Sequence, residues 1–212
     1  MQPTTLRSFL ILSVIALAVA GCQANQAKSG SLLFQDDFSK PSSGWLVGQD
    51  GNGLVQYDRG GIRIYVSQPA AARLSVPNLS FNDVHIEVDT AKLAGPDDNN
   101  YGLLCRYQDE ANFYFFEISS DGYYSVGKYK DGVMSLIGMS QMQSHTSIHQ
   151  GNALNHLRAD CAGPNLDFYI NGKKVSGVVD NDLKSGDIGL IAGALKTAGT
   201  DVLFDNLSVL QP

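Results

Sequence analysis

The sequence predicts an all-β domain folded as a two-sheet antiparallel sandwich. Three observations lead to this prediction: no stretch after residue 31 keeps a helical hydrophobic period, short runs of alternating apolar and polar residues recur, and turn dipeptides separate these runs. The runs are at 33–38, 61–66, 71–76, 84–89, 101–107, 113–118, 123–129, 133–139, 155–161, 166–170, 173–175, 188–192 and 202–210. Roughly a dozen strands exceed the seven to nine of an immunoglobulin sandwich, and therefore two larger stacked sheets of the jelly-roll type are expected.

Alternation and turn dipeptides justify the individual strands. Residues 84–89 alternate strictly between apolar and polar side chains, which is typical of a half-buried strand. Asp121-Gly122 and Asp131-Gly132 separate three of the following runs into a meander, and Asn171-Gly172 marks a further hairpin. Each of these pairs supplies the positive φ angles that two-residue hairpin turns need.

The first 21 residues have the features of a lipoprotein signal peptide. Arg7 lies in a short polar start, and the apolar run at 8–20 is shorter than the roughly 20 residues that a membrane-spanning helix needs. Val19-Ala20-Gly21-Cys22 resembles the lipobox of bacterial lipoproteins, in which the cysteine is acylated, for example with palmitate, and becomes the N-terminus. An ordinary signal peptide followed by a chance cysteine is the alternative interpretation.

The lipobox resemblance implies a membrane anchor and a location. Two or more acyl chains on Cys22 would anchor the protein stably to the bacterial cell envelope. Residues 22–30 are then the lipidated cysteine and a polar, flexible tether, and residues 31–212 are the folded domain. Gln23 stands where an aspartate would indicate retention at the inner membrane, so we expect the outer membrane or the outer surface.

Composition and charge exclude several classes of protein. The chain is 43% hydrophobic and 17% charged, which excludes a disordered tail, a collagen and a coiled coil. Its formal net charge is −6, so we expect no nucleic-acid partner. The sequence contains no zinc-binding histidine spacing, no GxSxG serine motif and no glycine-rich phosphate loop, and we predict no catalytic residue.

Several short motifs are spread along the predicted strands and turns: Asp36-Asp37-Phe38, Gly44-Trp45, residues 101–107, Asp121-Gly122-Tyr123, residues 169–172, residues 186–190 and Phe204-Asp205-Asn206. Together they resemble the concanavalin A-like, laminin G-like jelly rolls of bacterial surface proteins and of the 3-keto-disaccharide hydrolase family. The resemblance covers nearly all of residues 31–211 and implies the fold. Because this fold hosts lectins, adhesion modules, glycosidases and structural domains, the resemblance does not choose among these functions.

Cys105 and Cys161 are an even pair in a chain that we expect to be exported. Strand alternation points both side chains toward the core. A disulfide between them would stabilise the fold by roughly 4 kcal/mol on the chain-entropy model. Two free buried thiols are the alternative.

The predicted ligand-binding face is a polar row on the strand at 84–89. His85, Glu87 and Asp89 share one side of this strand. If Cys105 points inward, the next side chain, Arg106, points outward to the same side as the row. Glu117 joins the row from the aromatic run at 113–117. The predicted binding residues are His85, Glu87, Asp89, Arg106, Tyr114, Glu117 and Tyr123. The two tyrosines would stack on a sugar ring unless they are buried in the core.

Resemblance to sugar-acting jelly rolls also implies a structural calcium that ties the first strands to the last. Asp205 lies at the matching place, with carbonyl groups near Asp36 or Gly61 as further ligands. Calcium prefers such oxygen ligands. An aspartate that accepts a hydrogen bond from a neighbouring backbone amide is the alternative.

These observations predict a lipid-anchored, non-catalytic module of the cell envelope that binds a glycan or polysaccharide. A glycoside hydrolase of the 3-keto-disaccharide type is the second hypothesis, and a protein-interaction or structural domain without a sugar site is the third. The missing pair of catalytic carboxylates favours the first. We expect a neutral or basic oligosaccharide to bind weakly, with a dissociation constant of roughly micromolar to millimolar.

We predict that the mature, cell-associated chain begins at a lipid-modified Cys22 and partitions into detergent, because acyl chains transfer favourably out of water. Cys22→Ser is expected to release or misprocess the protein. Detergent partitioning and intact-mass analysis measure the two effects. An unmodified N-terminus at any residue would contradict the prediction.

Overall fold

The computed structural model describes residues 28–212, and its regular secondary structure in this range is entirely β. Sixteen strands form two antiparallel sheets, which confirms the predicted sandwich. The described residues contain no helix with the length and apolar character needed to cross a membrane. Residues 1–27, which include the predicted signal peptide, Cys22 and most of the tether, lie outside the described range.

The larger sheet has nine strands. They are β1 (Leu32–Asp36), β2 (Gly48–Asp50), β3 (Gly53–Asp58), β4 (Gly61–Val66), β6 (Val84–Ala94), β12 (Leu154–Ala162), β13 (Asn165–Ile170), β14 (Lys173–Val179) and β16 (Thr200–Leu210). Their order is β14-β13-β12-β6-β16-β4-β3-β2, and β1 pairs with β16 beside this path. The first and last strands of the domain are therefore neighbours in one sheet.

The smaller sheet has seven strands. They are β5 (Ala71–Ser75), β7 (Asn99–Asp109), β8 (Asn112–Ile118), β9 (Tyr123–Lys130), β10 (Val133–Leu136), β11 (Gln143–Ser144) and β15 (Asp187–Ala194). Their order is β10-β9-β8-β7-β15-β5, and β11 pairs with β9. The predicted meander from β7 to β10 forms the greater part of this sheet.

Left-handed backbone positions make the tight hairpin turns. Asp131 and Gly132, with φ angles of 52° and 79°, connect β9 to β10, and Asn171 and Gly172, with 50° and 76°, connect β13 to β14. Positive φ at both positions is the geometry of the type I′ turn that these two dipeptides predict. The same prediction is wrong for Asp121-Gly122, where only Gly122 has a positive φ and a four-residue connection joins β8 to β9. Arg59 (φ 54°) begins a similar turn between β3 and β4. The sequence prediction did not include β2, β3 or β11.

The hydrophobic core lies between the two sheets. On β6, Val84, Ile86 and Val88 are buried while the intervening side chains are partly exposed, as alternation predicts. Phe116 of β8 contacts Phe168 of β13 from the facing sheet, with 5.7 Å between the ring centroids. Because side chains alternate along a strand, each sheet also presents an outer face.

The motif around Trp45 contributes to the packing of the core. Trp45 packs edge-on against Phe38 with 5.3 Å between the ring centroids. The indole nitrogen of Trp45 donates a hydrogen bond to Asp36 Oδ2 at 3.0 Å, and the amide of Phe38 donates to Asp36 Oδ1 at 2.8 Å. Both carboxylate oxygens of Asp36 are thus engaged with the protein.

Cys105 and Cys161 form the predicted disulfide. Cys105 is on β7 of the seven-stranded sheet and Cys161 is on β12 of the nine-stranded sheet, and both are fully buried. The bond therefore links the two sheets across the core, with 6.8 Å between the Cα atoms.

Arg106 does not face solvent beside the polar row, and the prediction that it would is wrong. A β-bulge begins after Cys105, and Arg106 adopts a φ of 52°, so strand alternation fails at this position. The guanidinium is buried and donates to the carbonyls of Leu183 and Gly163 at 2.8 and 2.7 Å. It also pairs with Asp83 at 3.1 Å. Through these contacts Arg106 connects the three loops that contain Leu183, Gly163 and Asp83.

We expect loss of the disulfide to lower the melting temperature, because the bond closes a sequence separation of 56 residues in the unfolded chain. The predicted loss is about 4 kcal/mol, or roughly 8–16 °C for a domain of this size. Thermal melts with and without reductant measure it, and the Cys105→Ala/Cys161→Ala double variant is the control that reductant leaves unchanged. Alkylation of both cysteines in denatured, unreduced protein would contradict the bond.

Candidate functional site

The outer face of the seven-stranded sheet is unusually apolar, because β8 buries the side chains of both its faces. Its inward side chains are Tyr114, Phe116 and Ile118. The alternate residues Phe113 and Phe115 point outward and form a second apolar cluster with Leu104 of β7 and Ile191 of β15. This face therefore differs from the polar outer face that an antiparallel sheet usually presents to water.

Glycines on neighbouring strands make room for this outer cluster. A Cβ atom at Gly127 of β9 would overlap the ring of Phe115, and one at Gly193 of β15 would overlap the side-chain amide of Asn100. The aromatic ring and the amide consequently lie close to the backbone of the adjacent strand. A side chain at either glycine would displace a group that forms the floor of the site.

Two adjoining cavities lie over this floor. The first has a volume of about 300 Å³, and among its lining residues are Leu46, Asp50, Arg73, Glu110 and Phe113. The second has a volume of about 260 Å³, and among its lining residues are Asn100, Phe115, Glu117, Met134 and Leu195. These volumes are near the lower end of the roughly 300–1,000 Å³ range of small-molecule sites.

Tyr129 of β9 lies between the cavities and lines both of them. Its ring stacks on Phe113, with 4.8 Å between the centroids and 27° between the planes, and it also contacts Phe115. Burial raises the pKa of the Tyr129 hydroxyl, and the charge of Glu117 raises it further. Tyr129 is thus a supported, neutral aromatic ring at the centre of the site.

Glu117 is a buried carboxyl group that lines the second cavity. Only 6% of the residue is exposed, and its register neighbours are Gly102 of β7 and Ser125 of β9. Burial raises the pKa of Glu117 to about 7, although a hydrogen bond with the Asn100 side chain opposes this effect. Near neutral pH both the protonated and the ionised form of Glu117 are therefore populated.

The predicted polar row lies elsewhere, on the outer face of the nine-stranded sheet. There His85 pairs with Glu87 at 2.8 Å and lies 3.3 Å from Asp160, and His156 pairs with Asp89 at 2.8 Å. The row is therefore assembled as the alternation on β6 predicts, but its side chains pair with one another. Its role in ligand binding stays a prediction, and it shares no face with the two cavities.

The remaining predicted binding residues are divided between the core and the seven-stranded sheet. Tyr114 points inward, where its hydroxyl donates to Asp180 at 2.6 Å and accepts from the amide of Leu183. Burial, reinforced by Asp180, raises its pKa to about 12. The prediction that Tyr114 stacks on a sugar is wrong, because its side chain is buried in the core. Tyr123 of β9 is 42% exposed, so its ring is accessible to a ligand. Its role as a stacking partner stays a prediction.

Glu117 does not join the polar row, because β8 and β6 belong to different sheets. The row and Glu117 are on opposite outer faces of the sandwich. The expectation that these carboxylates form one site is therefore wrong, and Glu117 instead belongs with Asn100 and the aromatic floor.

Asp205 accepts a hydrogen bond from the amide of Asn206 at 2.7 Å, which is the contact that the alternative interpretation describes. Residues 28–212 contain no cluster of three or more histidine, cysteine, aspartate or glutamate side chains placed to hold a metal. A structural calcium at Asp205 stays a prediction.

Sequence reasoning missed Asn100, Phe115 and Tyr129 as site residues. One signal in the sequence indicated them: β8 has aromatic residues at consecutive positions, so some of them must face away from the core. The glycines Gly127 and Gly193 on flanking strands are a second signal. Alternation within one strand does not show which residues of the neighbouring strands lie on the same face beside Glu117, because it does not give the register between strands.

A family model described as the 3-keto-alpha-glucoside-1,2-lyase-like domain matches residues 28–210. No match was found among the curated proteins. Among solved structures, the carbohydrate binding module CBM66 from Bacillus subtilis matches with a TM-score of 0.65 and 18% identity, over 80% of this chain and 96% of the module. A galectin-like protein of unknown function from Bacillus subtilis matches with a TM-score of 0.63 and 13% identity, over 87% of this chain and 97% of that protein.

The GH43 protein BlXynB from Bacillus licheniformis matches with a TM-score of 0.62 and 15% identity, over 84% of this chain. The match spans 39% of the length of that protein. These likenesses confirm the predicted jelly-roll fold, and the family match confirms the predicted relationship. The fold is one that carbohydrate-binding and glycoside-hydrolase proteins share, and it does not by itself separate binding from catalysis.

Proposed function

This chain belongs to the 3-keto-alpha-glucoside-1,2-lyase-like domain family, and from that premise we propose that it is a glycan-binding module whose ligand lies on the outer face of the seven-stranded sheet. The observation that carries the proposal is the pair of cavities over an aromatic floor. Tyr129 lines both cavities, and Glu117 lines the second. The likeness to a carbohydrate binding module supports the proposal at the level of fold.

The chemistry of the site suits a sugar. A pyranose has hydroxyl groups around its rim and apolar C–H groups on its face, so it needs a flat apolar surface beside a few directional polar groups. Tyr129 supplies the surface, and Asn100 and Glu117 supply the polar groups. All three are on strands, and rigid elements of this kind reduce the entropy lost on binding.

We further propose that the lipidated Cys22 and the tether hold this domain at the cell envelope. The support is the lipobox-like motif in the sequence. A flexible tether over residues 22–30 would have an average reach of about 15–18 Å. The domain would then remain within a short distance of the membrane while staying free to turn toward an envelope polysaccharide.

We expect Tyr129→Ala to weaken the binding of an oligosaccharide about tenfold, equivalent to about 1.4 kcal/mol, because it removes the stacking surface. Tyr169→Ala is the matched control, since Tyr169 is a half-exposed tyrosine on the nine-stranded sheet, where Arg158 lies 4.3 Å from its ring. A glycan panel first identifies the ligand, and calorimetry then compares the three proteins.

Other outcomes of this experiment identify other sites. Weakening by Glu87→Ala, with no effect of Tyr129→Ala, would move the ligand to the polar row. An absence of binding across a broad panel would overturn the glycan-binding proposal and support the protein-interaction hypothesis.

Lyase activity on a 3-keto-α-glucoside is a second candidate function, which the buried Glu117 carboxyl group favours. In a 1,2-elimination a base removes the proton from C2, which the neighbouring ketone makes acidic, the C1–O bond breaks, and the departing oxygen takes a proton from solvent. A base with a pKa of about 7 has the appropriate basicity for this step at neutral pH. Glu117 would be that base, and Tyr129 would position the sugar ring.

If this second function holds, Glu117→Gln should abolish release of the leaving sugar, and Glu87→Gln should not change it. The value of kcat/KM should rise as the pH passes upward through about 7, because only the deprotonated carboxylate accepts the proton. Release of the leaving sugar from a 3-keto-α-glucoside measures both effects. Turnover that survives in Glu117→Gln would exclude Glu117 as the base.

A further inference from the structure

Glu117 is a buried carboxylate without a cationic partner among residues 28–212. Only 6% of it is exposed, and the groups that act on it are its apolar surroundings and the Asn100 side chain. A buried charge is costly unless an opposite charge and hydrogen bonds compensate it. The cavity beside Glu117 is open to a ligand, so a ligand is able to supply that charge.

The remaining charges around the two cavities are also mainly acidic. Asp50 and Glu110 line the first cavity, and the cation beside them, Arg73, is paired with Asp50. Among the residues that line the two cavities, three carboxylates face a single guanidinium, and this balance favours a cationic ligand over an acidic sugar.

The apolar surfaces of the second cavity are compatible with a cation. Phe115 and Tyr129 line the same cavity as Glu117, and aromatic faces attract an ammonium group through their quadrupole. A neutral hydroxyl group is able to hydrogen-bond to Glu117, but it does not offset the buried negative charge. An ammonium group does both.

We propose that the site selects amino sugars with a free ammonium group, and that Glu117 is the residue that determines this specificity. The inference rests on the proposed glycan-binding function and names the class of sugar. The ammonium of the ligand pairs with the Glu117 carboxylate, Asn100 holds that carboxylate in place, and the ring of the sugar stacks on Tyr129. With a cavity of about 260 Å³, the residue bound beside Glu117 is a single sugar unit.

Matched methyl glycosides test the proposal. Methyl α- and β-glycosides of glucosamine and galactosamine are each compared with their N-acetylated forms and with the neutral hexosides, by calorimetry at pH 7. We expect wild-type protein to bind the amino form about tenfold more tightly than the other two. Glu117→Gln, which keeps the shape of the side chain, should reduce that ratio to about one.

Asp167→Asn is the control, because Asp167 is a partly exposed carboxylate of β13 on the opposite outer face, where it pairs with Lys174, and it should leave the ratio unchanged. Thermal melts at pH 8 verify that Glu117→Gln folds, since the amide removes a buried charge and should not lower the melting temperature.

Equal binding of all three forms by wild-type protein would overturn the selection of amino sugars and leave the glycan-binding proposal intact. A preference that persists in Glu117→Gln would overturn the role of Glu117. Failure of every glycoside to bind would overturn the inference, and it would overturn the glycan-binding proposal as well only if no member of the broad glycan panel binds.

Discussion

The structure depends on a constraint in β8, whose consecutive aromatic and aliphatic residues need cover on both faces of a sheet. The inward set packs against the nine-stranded sheet and forms the core. The outward set has no second sheet above it, so side chains from β5, β9, β10 and β15 cover it instead. That cover is incomplete and leaves two cavities. The same burial that stabilises the seven-stranded sheet therefore creates the cavities in which we propose that a ligand binds.

A second constraint fixes the two sheets relative to each other at one end of β7. The Cys105–Cys161 bond joins the sheets through the core, and the next residue, Arg106, ties together the loops that close the sandwich. The bulge at Arg106 is what allows consecutive residues to point toward these partners.

Binding and catalysis would use the same groups in this protein. The description of its family names a lyase, and the solved structures that resemble it include a carbohydrate binding module and a GH43 protein. A buried carboxyl group with a pKa of about 7 is able to pair with an ammonium group and also to accept a proton from carbon. Which of these two proposed roles applies would depend on the ligand, since both proposals use the same floor of the site.

The sequence by itself determined the all-β class, the strands with strict alternation such as β6, the turns at Asp131-Gly132 and Asn171-Gly172, and the inward direction of both cysteines. These features depend on neighbouring residues, and local periodicity and turn chemistry report them. Only the tertiary structure decided that Glu117 lies beside Asn100 and Tyr129, and that Arg106 is buried. The site combines residues of three strands whose register no local pattern specifies, and a single bulge reverses the direction of a side chain.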